Sequence, residues 1–290
     1  MTQPVICDYE GSRYRDDFWP GREYEDAAER IALRHLLPTQ GRALVEIGAG
    51  FGRLADLYRG YDRVVLVDYA RSQLGQARER LGNDQRLVYV AADIYRLPLA
   101  DSAYDTAVTV RVLHHLKEVP SALAEVHRIL APQGTYVLEY ANKRNLKEIL
   151  RYMLGRSRKR PFSLEPSEFA PLNFNFHPAY IDQQLRRAGF RISKELAVSH
   201  FRLGLLKRLV PAPTLARLDG WLQGPAAPWK LSPSIFIAAI AEKLARPQPD
   251  ALFQCPFDRR GTLIEANNRL RCPICGREWT AQEGIYDLRI

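Results

Sequence analysis

The run EIGAGFG, Glu46 to Gly52, is the first place where residue types and spacing could do chemistry. Glycines at 48, 50 and 52 let a backbone come close to a ligand, and a helix starting just after them would offer free N–H groups to negative charge. Two aspartates follow, Asp68 closing RVVLVD and Asp93 closing RLVYVAAD. Carboxylates at the ends of adjacent parallel strands converge on the crevice where such sheets bind ligands. RVLHHL then supplies adjacent imidazoles, His114 and His115, either of which suits general-base work or simple packing. Near the end of the chain, CPFD (255–258) and CPIC (272–275) place Cys255, Asp258, Cys272 and Cys275 as two pairs with metal-ligand spacing.

A glycine loop alone also fits a dinucleotide site. That fingerprint is G-x-G-x-x-G, and here Arg53 stands where its last glycine belongs. Four aromatics of the N-terminal segment, Tyr14, Phe18, Trp19 and Tyr24, would either close over a bound ligand or pack a leading helix. Arg22 and Arg53 are candidates to pair with a ligand carboxylate.

These residues need a frame. Apolar runs at 43–48, 63–68, 86–93, 104–112 and 135–141 are separated by helical stretches, the pattern of a parallel sheet covered on both faces. Helices are expected at 23–37, 54–58, 72–81 and 121–130, the last with Ser121 as N-cap and APQG (131–134) as its stop. After an irregular stretch, a helix over 179–188 closed by Gly189 and strands over 191–201 and 232–243 complete the set. The fold class is α/β, a doubly wound, Rossmann-like, seven-stranded and mostly parallel sheet with a small C-terminal β module. Residues 1–244 make the main domain, with insertions at about 142–176 and 201–231, residues 245–250 a proline-rich linker and 251–290 the module.

The formal charge of +9 is concentrated in the insertions: residues 141–162 carry +7 and residues 201–230 carry +4. Those surfaces are either solvated helix faces or docking sites for something acidic. No run reaches the length of a membrane span, and the N-terminus lacks a signal-peptide layout, so a cytoplasmic location is expected. Three of four cysteines crowd near the end, which suits metal rather than disulfides.

Over residues 40–140 the sequence resembles the class I S-adenosylmethionine methyltransferases, in particular the subgroup with quinone-biosynthesis and ribosomal RNA enzymes. The motifs that carry the resemblance are EIGAGFG, RVVLVD, AADIYRLPLADSAYD, RVLHHL and LAPQGTYVLEY, in that order. The resemblance implies S-adenosyl-L-methionine as cofactor. Glu46, Gly48, Ala49, Gly50 and Gly52 would form its loop, with Gly48 and Gly50 along the methionine part. Asp68, with Tyr69 beside it, would hold the ribose hydroxyls, Asp93 and Ile94 would meet the adenine, and Arg111 would line the site. RVLH stands where amino-directed enzymes of nucleic acids carry D/N-P-P-Y/F, which leaves oxygen, carbon or ring-nitrogen acceptors. The module resembles the zinc ribbons of methyltransferase activators, with Asp258 replacing a cysteine, so zinc is the implied metal.

Three functions are compatible with these residues. The first is methylation of a small-molecule or lipid-like acceptor, with peripheral membrane contact through LKEILRYMLG and FRLGLLKRLV. The second is methylation of RNA through the basic patches and the module. The third is a non-catalytic cofactor-binding scaffold.

Overall fold

The computed structural model describes residues 6–157, 159–245 and 247–290. Helices α1 (Tyr14–Phe18) and α2 (Glu23–Leu36) lead into β1 (Gly41–Ile47), β2 (Tyr61–Asp68), α3 (Arg71–Leu81), β3 (Leu87–Ala91), β4 (Tyr104–Thr109), α4 (Val119–Ile129) and β5 (Leu130–Ala141). Next come α5 (Leu146–Met153), the strand pair β6 (Ser167–Ala170) and β7 (Asn173–Asn175), α6 (Pro178–Arg187) and β8 (Phe190–Val198). Helices α7 (Gly204–Leu209) and α8 (Ala212–Gln223) precede β9 (Ser234–Ala241). The last segment adds β10 (Ile264–Ala266), β11 (Arg269–Arg271), β12 (Glu278–Thr280) and β13 (Ile285–Asp287).

Successive side chains of the central strands enter opposite layers, which is why the runs are continuously apolar. Val65 and Val67 join the core under α4 and α6, whereas Val64 and Leu66 join the core under α2, α3 and α8. The sheet runs β13-β3-β2-β1-β4-β5-β9-β8. Pairing is parallel from β13 to β5, and β9 is antiparallel to both neighbours. The chain winds outward from β1 to β3, then returns to β4, so the ends of β1 and β4 form a switch point.

The sheet has eight strands where seven were expected, because the C-terminal module lends it β13. Ile285 enters one core layer and Tyr286 the other, and the Leu288 N–H continues the ladder to the Ala91 carbonyl at 2.9 Å. Three residues are too few to show a period in sequence. The module's other strands form a separate antiparallel sheet, β10-β11-β12.

Three local expectations are corrected. The helix at 54–58 is a single 3-10 turn, Ala55–Tyr58, since β2 begins at Tyr61 and leaves no room for an α-helical nucleus. Ser121 is not the N-cap of α4: the helix starts at Val119 after Glu118, with Pro120 in its first turn, where a fixed φ and a missing N–H do no harm. APQG does not end a helix in a turn but lies inside β5, absorbed by a register shift opposite Tyr104 and Thr106.

Both insertions arise at the edge that carries the C-terminal ends of the parallel strands. Asn142 Nδ2 donates to the carbonyls of Lys230 (2.7 Å) and Ser232 (2.9 Å), stapling one insertion to the other. Buried Asp219 of α8 accepts from Tyr24 Oη, the Ser199 N–H and Gln223 Nε2, and pairs with His200, so Tyr24 is a core residue. Within the segment expected as a linker, Gln248 and Pro249 are tied to the sheet's surroundings, Arg42 Nη2 donating to the Pro249 carbonyl (2.9 Å) and Gln248 Nε2 to the Ala103 carbonyl (2.9 Å).

Candidate active site

A pocket opens at the ends of β1, β2 and β4 and is roofed by the N-terminal segment. Its floor is the glycine loop. Gly48 and Gly50 have φ of +76° and +53°, values that only glycine adopts without strain, and a Cβ on Gly48 would collide with Val112. The Gly48 and Ala49 N–H groups both donate to the Val67 carbonyl, at 2.8 and 2.9 Å. Gly52 does not line the pocket: a Cβ there would strike Leu81 and Ala77, so this glycine lets the loop pack on α3. With only a 3-10 turn downstream, the loop's shape rather than an α-helix terminus makes the cradle.

Asp68 sits at the pocket wall, its Oδ2 accepting from Gly50 N–H at 2.7 Å and its Oδ1 from Ala70 N–H at 2.9 Å. Burial pushes its carboxyl up to about 6, against the pull of those N–H donors. Glu46 is buried at the pocket wall with the Tyr58 hydroxyl as neighbour to its carboxyl. Burial drives it up to about 8. Tyr69, Ile94, Ala49 and Arg111 also line the pocket.

Asp93 stands beside the pocket wall and makes the local contact that Asp68 makes with Ala70. Its Oδ1 caps the 3-10 turn Ile94–Arg96 by accepting from Tyr95 N–H at 2.8 Å, and the pocket wall is made by Ala92, Ile94 and Tyr95 beside it. Of the two imidazoles, both half-buried, His115 lines the pocket and His114 does not, and their ring centroids are 4.0 Å apart. Burial lowers the pKa of both, so both are neutral near pH 7. His115 Nδ1 lies 3.2 Å from the Leu172 carbonyl, which can only accept, so Nδ1 carries the proton and Nε2 accepts from Tyr9 Oη at 3.1 Å.

Tyr9 carries no signal in the sequence, and neither do Cys7 and Gln73, which also line the pocket. Tyr9 belongs to a coil with no period, held over the pocket because Glu10 accepts from the Arg71 and Ser72 N–H groups (2.7 and 3.0 Å) at the start of α3. Tyr14 and Trp19 line the pocket as well, while Phe18 stacks on Tyr14. Glu29, absent from the sequence expectations, lay within their reach: with Glu25, Ala32 and Leu36 it shares the buried face of α2, and an acid there must find a cation. Burial would raise it, but Arg111 and Arg53 outweigh that and hold it ionised below its usual range. Arg53 reaches Asp26 and Glu29 and lies over the Trp19 ring, 4.1 Å from its centroid. Arg22 sits over Phe18 and does not line the pocket.

The raised carboxyls set a pH dependence. An acid with a higher folded than unfolded pKa binds protons more tightly when folded, so its contribution is present at low pH and is lost as pH rises through the folded value. The ligand-free protein is therefore expected to lose stability between about pH 4.5 and pH 8, by a few kcal/mol at most, mainly through Glu46. Glu46→Gln should flatten the fall in melting temperature over that window; an unchanged slope would reject the assignment.

In the module the four candidate ligand atoms of Cys255, Asp258, Cys272 and Cys275 lie within 4.8 Å of one another. Cys255 Sγ and Cys275 Sγ are 3.7 Å apart, close to the separation two thiolates take on one tetrahedral zinc. Asp258 Oδ1 accepts from the Arg260 and Gly261 N–H groups, which leaves Oδ2 directed at the cluster, 3.0 Å from Cys272 Sγ. Cys272 Sγ also accepts from the Ile274 and Cys275 N–H groups, and a Cβ on Gly261 would strike that sulfur.

Residues 45–138 match the family model of a methyltransferase domain. A Mycolicibacterium smegmatis protein described as a probable S-adenosylmethionine-dependent methyltransferase is 27% identical over 64% of this chain and 64% of its own length. The ubiquinone/menaquinone biosynthesis C-methyltransferase UbiE of Paracoccus denitrificans is 32% identical over 37% of this chain and 45% of its own. The chain thus spans less than two thirds of the length of these curated relatives. The fold is also that of a solved S-adenosylmethionine-dependent methyltransferase from Mesorhizobium loti, with a TM-score of 0.55, 23% identity, and coverage of 75% of this chain and 99% of that one. With the sheet order, the glycine cradle and Asp68 at the switch point, these matches give residues 45–138 as a methyltransferase domain and the fold as that of solved S-adenosylmethionine-dependent methyltransferases.

Proposed function

We propose that this chain transfers a methyl group from S-adenosylmethionine to a small-molecule or lipid-like acceptor. The observation that carries the reading is one pocket that joins the glycine cradle and Asp68 to an aromatic and imidazole wall of Tyr9, Tyr14, Trp19 and His115. When bound, the cofactor supplies an electrophilic methyl on a sulfonium. The chain's own residues hold and orient: Gly48 and Gly50 admit the ligand backbone-close, and Asp68 accepts from hydroxyls. The N-terminal segment excludes water from above.

His115 is the proton acceptor of this reading. It is neutral, its Nδ1–H is fixed on the Leu172 carbonyl, and its Nε2 faces Tyr9 Oη, so an acceptor hydroxyl that takes the place of Tyr9 meets a free lone pair. His115→Gln should lower kcat by about 100-fold with little change in cofactor affinity. An unaltered kcat would assign His115 to packing.

Labelled methyl from S-adenosylmethionine, incubated with cell extract and sorted into RNA, protein and organic-soluble fractions, tests the acceptor class. Label in the organic-soluble fraction supports the proposal. Label confined to RNA would replace it by the basic-patch reading, and cofactor binding with no label in any fraction would favour a scaffold. The C-terminal module, in the same proposal, is a zinc-ribbon-like unit whose metal is held by Cys255, Asp258, Cys272 and Cys275, since the donor set and spacing fit zinc.

A further inference from the structure

Helix α5 is built like a surface-seeking helix. At about 100° per residue, Ile149, Met153, Leu146, Leu150 and Leu154 occupy one arc of about 140°, and Lys147 and Arg151 lie along its rim. None of its residues is buried. Met153 is 73% exposed and Leu154 beyond it 64%, with no described element covering them. Trp229, 63% exposed, stands beside the start of the helix, where Leu146 N–H donates to the Leu231 carbonyl (2.9 Å) and Arg144 Nη1 to the Trp229 carbonyl (3.3 Å).

The helix begins five residues after β5 ends, on the edge of the sheet that holds the pocket. The same insertion reaches the pocket itself through the Leu172 carbonyl on His115. We infer that α5, with Trp229 beside it, docks this protein on an anionic lipid bilayer with the pocket edge toward the lipid. This deepens the methyl-transfer proposal by naming the phase in which a lipid-like acceptor is met, and it rests on that reading only for the acceptor.

Charge and apolarity together select the partner. Exposed Lys147 and Arg151 border the apolar arc, exposed Arg156, Lys159 and Arg160 follow the helix in the chain, and the only acid of the helix, Glu148, is half-buried and paired with Arg151. Cations alone would suit RNA, but phosphate gives no reason for an arc of leucine, isoleucine and methionine facing water. An apolar stripe flanked by Lys and Arg, with tryptophan at its margin, is what the boundary between headgroups and acyl chains accepts.

The test is co-sedimentation of the whole chain with vesicles of phosphatidylcholine alone or mixed with phosphatidylglycerol. Binding is expected to the anionic vesicles, to fall with added salt, and to drop by about tenfold or more in each of two variants, Leu150→Glu with Met153→Glu, and Lys147→Glu with Arg151→Glu. Both variants change exposed side chains only, and unaltered S-adenosylmethionine binding by calorimetry shows that the fold is kept. Failure of the wild-type chain to sediment with anionic vesicles, equal sedimentation of the variants, or retention on RNA instead would overturn the inference. Vesicle binding without methyl transfer to any organic-soluble acceptor would remove the proposed activity and leave the docking surface standing.

Discussion

Asp68→Ala should lower affinity for S-adenosylmethionine by about 100-fold or more in calorimetry, since hydrogen bonds to a charged acceptor in a buried site are each worth about tenfold or more. The carboxylate does two jobs at once. It is the acceptor at the pocket wall, and it ties the glycine loop to the end of β2 by taking the Gly50 N–H on one oxygen and the Ala70 N–H on the other. Alanine removes the acceptor and leaves two N–H groups to find water, so the loop that shapes the cradle loosens as well. Asp93→Ala is the informative contrast. Its Oδ1 is engaged by Tyr95 N–H and the pocket wall is made by its neighbours, so the loss expected there is about tenfold at most, through a shifted Ile94. Equal losses for the two variants would restore Asp93 to direct contact, and no loss for Asp68 would remove the cofactor site from the end of β2.

The contrast between those aspartates shows what a sequence can hold. Both close apolar runs at strand ends, and period and spacing treat them alike, yet the pocket lining takes Asp68 itself at one strand end and Ala92, Ile94 and Tyr95 around Asp93 at the other. The same holds for His114 and His115, neighbours in one 3-10 turn, Leu113–His115, of which only His115 lines the pocket. The parallel core was legible because strands buried on both faces have little freedom in composition. Tyr9 was not, because a coil draped over a pocket is fixed by partners such as the start of α3, far away in sequence. That Cys255, Asp258, Cys272 and Cys275 come together was legible from local spacing, whereas strand β13 was not, because its pairing partner β3 lies nearly two hundred residues earlier.

That pairing gives the second large effect, because it couples the cluster of Cys255, Asp258, Cys272 and Cys275 to the pocket. The purified chain should carry about one zinc, and Cys272→Ser should lose it, as read by elemental analysis. Cys272 is fully buried in the layer that also holds Phe253, Leu270, Tyr286 and Leu288, so losing the metal frees the module to loosen from β3. The loosening extends to the active site through Arg289. Its Nη1 donates to the Tyr69 carbonyl at 3.0 Å, immediately after Asp68, and its guanidinium is 3.8 Å from Glu10, the residue that holds the N-terminal segment on α3. Release of β13 therefore frees both the wall that carries Asp68 and the roof that carries Tyr9. Cys272→Ser is expected to lower the melting temperature by several degrees and to weaken S-adenosylmethionine binding by about tenfold, although no module residue lines the pocket. Arg289→Ala separates the two effects: zinc content should stay at the wild-type level while cofactor affinity falls. If Cys272→Ser loses zinc yet binds the cofactor as the wild type does, the module is a passenger on the sheet edge, and the contacts of Arg289 carry no support to the site.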